Sequence, residues 1–142
     1  MKALKYNPEE IDIEVTDISL LTVEEAERLP ENIREYEDWW WLRTPGISSH
    51  YAAFVHFDGP VSILGAGVTH VNVGVRPALT ISNLEDLGVR VGDTIIIQDK
   101  KYVVVSDNKV LYNDDAVYHR FDKDSNDYEK SEIKKIVDGW LN

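Results

Sequence analysis

The chain has 142 residues, of which 43% are hydrophobic and 10% aromatic, so we expect one folded domain covering residues 1–142, and global disorder is excluded. Acidic residues outnumber basic ones by 26 to 15, and the formal charge of -11 disfavours direct binding to nucleic acid or to an anionic membrane. The absence of cysteine excludes disulfides, thiolate metal sites and cysteine nucleophiles. No stretch approaches the roughly 18 apolar residues of a membrane span, so we expect a cytoplasmic protein.

The N-terminal part predicts a strand and then a short helix. Apolar and polar residues alternate from Glu10 to Thr16, which is typical of a half-buried strand. Thr22 and Glu25 have the spacing of a capping box, so a helix should begin there and end near Pro30. The acidic segment 31–38 is predicted to connect this helix to the next strand.

Three consecutive tryptophans form the stretch around which the other predicted elements are arranged. Because side chains alternate between the two faces of a strand, Trp39 and Trp41 should share one face with Arg43, and Trp40 should lie on the other. Each ring is large, so both faces must be buried or used for binding. The turn residues 44–46 should end this strand.

Short β-rich segments separated by turn residues then predict two antiparallel meanders. In the first meander, strands are expected at 51–57, 61–64, 68–73 and 74–81, with a turn at 65–67. In the second, strands are expected at 94–98, 102–105 and 109–112. A polar connector, 84–91, joins the halves 1–83 and 92–142. Apolar residues at helical spacing predict a last helix over 128–141, with Asp127 as its N-cap.

Four segments, 40–46, 51–53, 58–59 and 74–79, resemble the signature of a family of uncharacterised bacterial and phage domains, in which WWLRSPG precedes YAA, DG and GVRPAL. The second half is similar to the same family at 103–105, 110–111 and 128–142. In the family that half comes first, so the resemblance implies a circular permutation, with Met1 near Asn142. Exchange of halves with a second copy is the alternative.

The strand at Gly74-Val75-Arg76 is similar to the closing strand of C-type-lectin-like domains. This similarity implies a C-type-lectin-like fold in permuted order, but it carries no activity over. We therefore predict an α+β fold with mostly antiparallel, twisted sheets and two helices.

Arg43 and Arg76 lie in predicted strands that are otherwise apolar, where a charged side chain needs hydrogen-bond or ion-pair partners. In the favoured interpretation their guanidinium groups bond backbone carbonyls or acids such as Asp38 and Asp58. The alternative is a fork for an anionic ligand. The predicted structural framework is Trp40, Trp41, Arg43, Arg76 and Trp140.

The candidate ligand-binding or partner-binding residues lie on predicted loops or beside them, and Trp39 is expected to be the least buried tryptophan of the three. They are Trp39, His50, Tyr51, His56, Asp58, His70 and Asn72. Core packing remains the commoner role of such rings. We predict no metal site, although His56 and His70 lie on neighbouring predicted strands and could meet.

The segment that begins at Asp122 partly matches a calcium-binding loop. Asp122, Asp124 and Asn126 occupy the first three ligand positions of an EF-hand, but Asp127 replaces the glycine and Ile133 the bidentate glutamate. A solvated cap for the last helix is therefore favoured, and calcium binding stays open.

No group of residues has the spacing of a catalytic site, so a hydrolytic enzyme is the least favoured function and no cofactor is expected. The leading prediction is a non-enzymatic binding module that displays loops on a Trp/Arg-braced sheet and takes a protein or carbohydrate ligand. A homodimer is left open. The alternative is a small acidic phage or mobile-element protein that inhibits a nucleic-acid-binding host defence enzyme by occupying its basic groove.

Overall fold

The computed structural model describes the backbone of residues 2–5 and 10–141, and the side chains of residues 12–141. The described residues form ten strands in two antiparallel sheets. The strands are β1 (Lys2–Lys5), β2 (Glu10–Asp12), β3 (Val15–Ser19), β4 (Trp40–Pro45), β5 (Tyr51–Val55), β6 (Val61–Gly67), β7 (Ala78–Ile81), β8 (Thr94–Ile97), β9 (Lys100–Val104) and β10 (Lys109–Tyr112). Seven strands lie in the order β2-β1-β8-β9-β10-β7-β3, and three in the order β4-β5-β6.

Short helices connect and cover these sheets. They are α1 (Val23–Glu27), α2 (Glu31–Arg34) and α3 (Glu132–Asp138), with 3-10 helices at Leu84–Leu87 and Tyr128–Lys130. The predicted capping box is present at α1, since Glu25 N–H donates to Thr22 Oγ1 and Thr22 N–H donates to Glu25 Oε1. Among the described residues, no helix combines the length and apolar character needed to cross a membrane.

The seven-stranded sheet curls round on itself. β2 ends at Asp12 and β3 begins at Val15, yet these two strands lie at opposite ends of the strand order. Three peptide steps span at most about 11 Å, whereas the outer strands of a flat seven-stranded sheet would lie about 29 Å apart. The two edges of the sheet must therefore approach each other.

The curled sheet encloses one of three apolar clusters. It consists of Ile13, Leu79, Ile81, Leu84, Leu87, Ile95, Ile97, Tyr102, Val104, Val110 and Tyr112. Ile13 joins this cluster from the short link between β2 and β3, and Trp140 packs against it from the C-terminal end. The curled sheet thus buries its own apolar face without help from the other sheet.

The three-stranded sheet is the middle layer, and the tryptophan run supplies both of its faces. Trp40 and Trp41 are fully buried, in different clusters. Trp39 is only partly buried and packs against the cluster of Trp41. The predicted alternation is therefore confirmed, and so is the expectation that Trp39 is the least buried of the three.

Each face of this middle layer is covered by a different part of the chain. The face of Trp40 packs against the curled sheet at Ala78, Val103 and Leu111 and against α1. The face of Trp41 is covered by Phe121 and by Ile133 and Val137 of α3. The predicted α+β class with antiparallel sheets is confirmed, although three α-helices form where two were expected.

Several predicted elements differ because their backbone partners are distant in sequence. The strand over 10–16 is split into β2 and β3, which pair with β1 and β7 respectively. The strand predicted at 68–73 is wrong. Val68 O accepts the N–H groups of Phe121 and Asp122, and Val73 O accepts that of His119. These bonds tie down both ends of the segment while residues 69–72 stay exposed.

The segment 65–67, which was predicted to form a turn, lies inside a strand instead. β6 continues through this segment, with a bulge between the pairs Phe54–Ser62 and Ala52–Ala66. Gly65 has φ +92, and a Cβ there would lie 2.6 Å from the carbonyl oxygen of Ala52. The glycine therefore permits a close backbone approach inside a strand.

Three other sequence predictions need correction. The segment 31–38 contains α2, and the connector 84–91 begins with a 3-10 helix in which Leu84 and Leu87 are buried. The last α-helix is capped by Ser131, whose Oγ accepts from Lys134 N–H, and not by Asp127. Met1 and Asn142 lie outside the described residues, so their proximity stays a prediction. Ala3 pairs with Ile97, and Trp140 lines a cleft beside Ile97.

Candidate functional site

Arg76 is the fully buried cation of the framework. Its Nε donates to Tyr112 O at 2.8 Å, and its terminal nitrogens donate to Ile33 O at 3.0 Å and Asn113 Oδ1 at 3.1 Å. Burial lowers the pKa of Arg76 to about 10, which still leaves it charged at neutral pH. Because uncharged oxygens occupy its fork, Arg76 links strand β10 to helix α2.

Two aromatic rings enclose the same guanidinium. Its central carbon lies 4.4 Å from the centre of the Tyr36 ring and 4.6 Å from the centre of the Trp40 ring. Electron-rich ring faces attract a cation that has been removed from water. Burial in turn raises the pKa of Tyr36. The predicted acidic partners, Asp38 and Asp58, do not contact Arg76 in the described hydrogen bonds.

Arg43 has a more open setting, with a different set of partners. Its guanidinium lies 4.9 Å from the centre of the Tyr128 ring, and it donates to Ser19 Oγ at 3.0 Å and to Glu129 Oε1 at 3.2 Å. The Arg43 side chain is 37% exposed and that of Glu129 64%. Both arginines are thus held mainly by the protein itself, as the structural interpretation expected.

The remaining framework rings each place their indole N–H on an acceptor. Trp40 Nε1 donates to Arg34 O at 3.0 Å, and Trp41 Nε1 donates to His119 O at 2.8 Å. Trp140 Nε1 donates to the hydroxyl of Tyr102 at 3.0 Å. These bonds fix the rings at positions where burial alone would leave a donor unsatisfied.

The predicted binding residues fall into two groups at opposite ends of β5. At one end, the Trp39 ring lies 4.7 Å from Phe54 and 5.1 Å from His56, and exposed Asp58 follows in the next turn. At the other end, exposed His50 precedes Tyr51, which is 42% exposed.

His70 belongs to the second group, because its N–H donates to Gly67 O and Gly67 pairs with Tyr51. Four residues lie between Tyr51 and His56, so an extended backbone places these two residues about 17 Å apart. The expectation that His56 and His70 might meet is therefore wrong. Asn72 is exposed in the segment between the two groups.

The aspartate-rich segment caps a helix. Asp122 Oδ2 accepts the N–H groups of Asp124 and Ser125, and Oδ1 accepts that of Glu132. Burial would raise the pKa of Asp122, but these backbone donors lower it, so the side chain is a carboxylate at neutral pH. Within the described part of the chain, no group of three or more histidines and acids is placed to hold a metal ion.

One surface that the sequence did not single out lies beside Trp39. Tyr118 is 45% exposed and Val71 59%, and both line an open cleft of about 540 Å³ whose far wall includes Lys135 and Ile136 of α3. Tyr118 is brought to Trp39 through Gly74, which forms bridges with both Trp40 and Tyr118. Residues so far apart in sequence give no local signal of this arrangement.

The comparisons with known proteins support a family assignment. A family model described as a domain of unknown function (DUF6273) matches residues 13–83, which is half of the chain and extends from Ile13 through β7. Residues 84–142, where the second-half resemblance was predicted, lie outside this match. No curated protein matches the chain, and no solved structure matches it. Since the family model covers half of its length, this chain belongs to the DUF6273 family.

Proposed function

We propose that this protein is a non-enzymatic recognition module whose binding surface is built on the three-stranded sheet and its loops. The distribution of exposed apolar side chains carries the proposal. Among residues 12–141, nine large hydrophobic side chains stay exposed, and six of them lie between positions 47 and 71: Ile47, Tyr51, Phe57, Ile63, Leu64 and Val71. Four of these six, Ile47, Tyr51, Ile63 and Leu64, lie close together, because Ile47 N–H donates to Leu64 O and Tyr51 pairs with Gly67 of the same strand. Exposed apolar groups gathered in one part of a surface are typical of interaction sites.

These exposed residues stand on a rigid support. Ile47 N–H donates to Leu64 O at 2.9 Å, and Asn126 Nδ2 donates to Ser48 O and Tyr51 O, each at 2.9 Å. The loop at 47–50 is therefore tied to β6 and to the C-terminal segment. A loop that is already ordered loses little conformational entropy on binding, which favours recognition.

A protein ligand fits this surface better than a carbohydrate. Ile47, Ile63 and Leu64 are aliphatic and 69%, 61% and 60% exposed, and burying such groups stabilises a protein interface through the hydrophobic effect. The C-type-lectin-like relationship, the phage origin, the permuted order and the homodimer stay predictions.

The test is a capture experiment with matched surface variants. We expect the protein to retain a partner from its host-cell lysate, and the double variant Ile63→Ser/Leu64→Ser to lower the captured amount at least about fivefold. Val91→Ser is the control, because Val91 is 52% exposed but lies outside the three-stranded sheet. Equal capture by the double variant and the unaltered protein would count against recognition through this sheet.

A second candidate is inhibition of a nucleic-acid-binding enzyme by charge. Segments 31–38, 57–58 and 114–115 lie near one another, because Tyr36 N–H donates to Phe57 O and the Tyr36 hydroxyl donates to Asp114 O. They carry carboxylates for which the described residues provide no ion pair: Glu31, Glu35, Glu37, Asp38, Asp58, Asp114 and Asp115. Such a surface would complement a basic groove. This candidate predicts that the captured partner binds DNA and that DNA and this protein displace each other. A partner that binds both at once would contradict it.

A further inference from the structure

Tyr118 lies where three chain segments meet, and it is the candidate for a more specific binding site. Tyr118 forms an antiparallel bridge with Gly74, and Gly74 N–H donates to Trp39 O at 2.6 Å. Its ring is one wall of the 540 Å³ cleft described above. The exposed side chain is therefore carried by backbone that is bonded to residues 73–75, since Val75 N–H donates to Val117 O and His119 N–H donates to Val73 O. Val71 and Ile136 are the apolar residues that line the cleft with it.

Two carboxylates accept hydrogen bonds from backbone that lies close to Tyr118. Asp38 Oδ1 accepts the N–H of Trp39 at 2.8 Å, and Glu37 Oε1 accepts the N–H of Ala116 at 2.5 Å. Partial burial raises the pKa of Tyr118, and the negative charges of Asp38 and Glu37 raise it further. In the described part of the chain, neither carboxylate forms an ion pair.

A similar combination of a tyrosine ring and a carboxylate occurs elsewhere in the molecule, and there an arginine pairs with both. At Tyr128, the Arg43 guanidinium lies over the ring and donates to Glu129, the next residue along the chain. A tyrosine face attracts a planar cation, and a carboxylate at its edge accepts a charge-assisted hydrogen bond. Tyr118 has the ring and the carboxylates, but among the described residues no arginine lies over it.

We infer that Tyr118, Glu37 and Asp38 receive the guanidinium group of an arginine from a partner protein. This inference rests on the proposed recognition function and names the partner's chemistry. The complementary charge favours a cation, and a guanidinium stacks on tyrosine and bonds carboxylates through a planar fork, which an ammonium does not.

The wall of the cleft opposite Tyr118 restricts which residues can flank the arginine in the partner protein. It carries Lys135 and the Arg120–Glu132 pair, which is joined by two bonds of 2.6 and 2.9 Å. A run of basic residues across the cleft would meet Lys135 and be repelled. One arginine with apolar neighbours fits better, because these neighbours can contact Val71 and Ile136.

The test uses the synthetic peptide acetyl-Gly-Leu-Arg-Leu-Gly-amide and amide chemical shifts of the full-length protein. We expect shifts at residues 37, 38, 117 and 118 and binding about tenfold tighter than for the same peptide with citrulline, the uncharged isostere of arginine. Lysine in place of arginine should bind more weakly, and acetyl-arginine-amide more weakly still. Equal affinity for the arginine and citrulline peptides would overturn the inference. If acetyl-arginine-amide binds as tightly as the arginine peptide, the neighbouring residues contribute nothing, and the assignment of the ligand to a protein segment is overturned.

Matched variants locate the site. Tyr118→Leu and Asp38→Asn should each weaken the arginine peptide at least about fivefold, since leucine lacks the π face and asparagine lacks the charge. Val91→Leu and Asp86→Asn are the controls, because both residues are exposed and lie outside the three-stranded sheet and its loops. If all four variants weaken binding alike, the peptide binds through net charge and the inference fails. The capture result with Ile63→Ser/Leu64→Ser is read separately, so recognition can stand when the arginine site does not.

Discussion

Arg76 and Arg43 show two ways in which the same side chain is accommodated in one protein. Arg76 has no exposed surface and, among the described residues, contacts no carboxylate; two rings lie over its guanidinium and its fork bonds uncharged oxygens. Arg43 is partly exposed and pairs with Glu129 over a single ring. A buried cation is tolerated here because each of its three nitrogens donates to an oxygen and two aromatic rings lie over it, whereas an exposed one needs only partial support from the protein.

The largest effect should come from Arg76→Met. The substitution leaves the carbonyl oxygens of Tyr112 and Ile33 without their donor inside the protein, and we expect the free energy of unfolding to fall by about 4 kcal/mol. Arg43→Met should cost about 0.5 kcal/mol, because Arg43 and its ion-pair partner Glu129 are both partly exposed to water. Urea denaturation of both variants measures the difference. Similar losses for the two variants would show that burial does not separate these arginines.

A smaller effect is expected from Trp40→Leu, which removes one of the two rings around Arg76. The lost packing and the lost bond to Arg34 O should lower the free energy of unfolding by about 3 kcal/mol. Trp39→Leu is the matched control, and it should cost about 1 kcal/mol because Trp39 is only partly buried. Thermal or urea denaturation measures both. A larger loss for Trp39→Leu would contradict the assignment of Trp40 to the core.

The smallest effect concerns pH and the ion pair between Glu25 and Lys109. Burial alone would raise the pKa of Glu25, but hydrogen bonds from Lys109 and Thr22 outweigh it and lower the pKa. A carboxyl group with a lowered pKa stabilises the fold above its unfolded pKa of about 4.3, and this contribution disappears as the pH falls through the folded value.

We therefore expect Glu25→Gln to cost less than about 1 kcal/mol at pH 7, since both side chains of the ion pair are 30% exposed, and to cost less at pH 3 than at pH 7. Urea denaturation at the two pH values measures this. Arg76→Met serves as the contrast: its cost should be the same at pH 7 and pH 3, because no carboxylate contacts Arg76. A pH-independent cost for Glu25→Gln would rule out the ion pair as its cause.

Local chemistry explains which predictions from the sequence were confirmed. The alternation of Trp39, Trp40 and Trp41 follows from the geometry of any strand, and the Thr22–Glu25 cap follows from a spacing of three residues. The strands of the second meander are confirmed for the same reason: they are joined by short turns, and neighbours in sequence pair with each other.

Long-range contacts explain the errors. The segment 68–73 has the composition of a strand, but Val68 and Val73 pair with residues near position 120 and leave the middle exposed. His56 and His70 were expected on adjacent strands, yet the continuation of β6 through Gly65 moves them to opposite ends of β5. Neither competing partner can be identified from the residues that flank these segments.

The sequence by itself determined the α+β class, the two faces of the tryptophan strand and the need of Arg43 and Arg76 for partners, because each depends on residue types at short separations. Only the tertiary structure decided how the seven-stranded sheet curls, which oxygens Arg76 bonds, and that Asp38 and Glu37 lie beside Tyr118. Those features join residues up to about ninety positions apart, from Ala3 to Ile97, and at such separations the packing of whole layers and not local preference selects the neighbours.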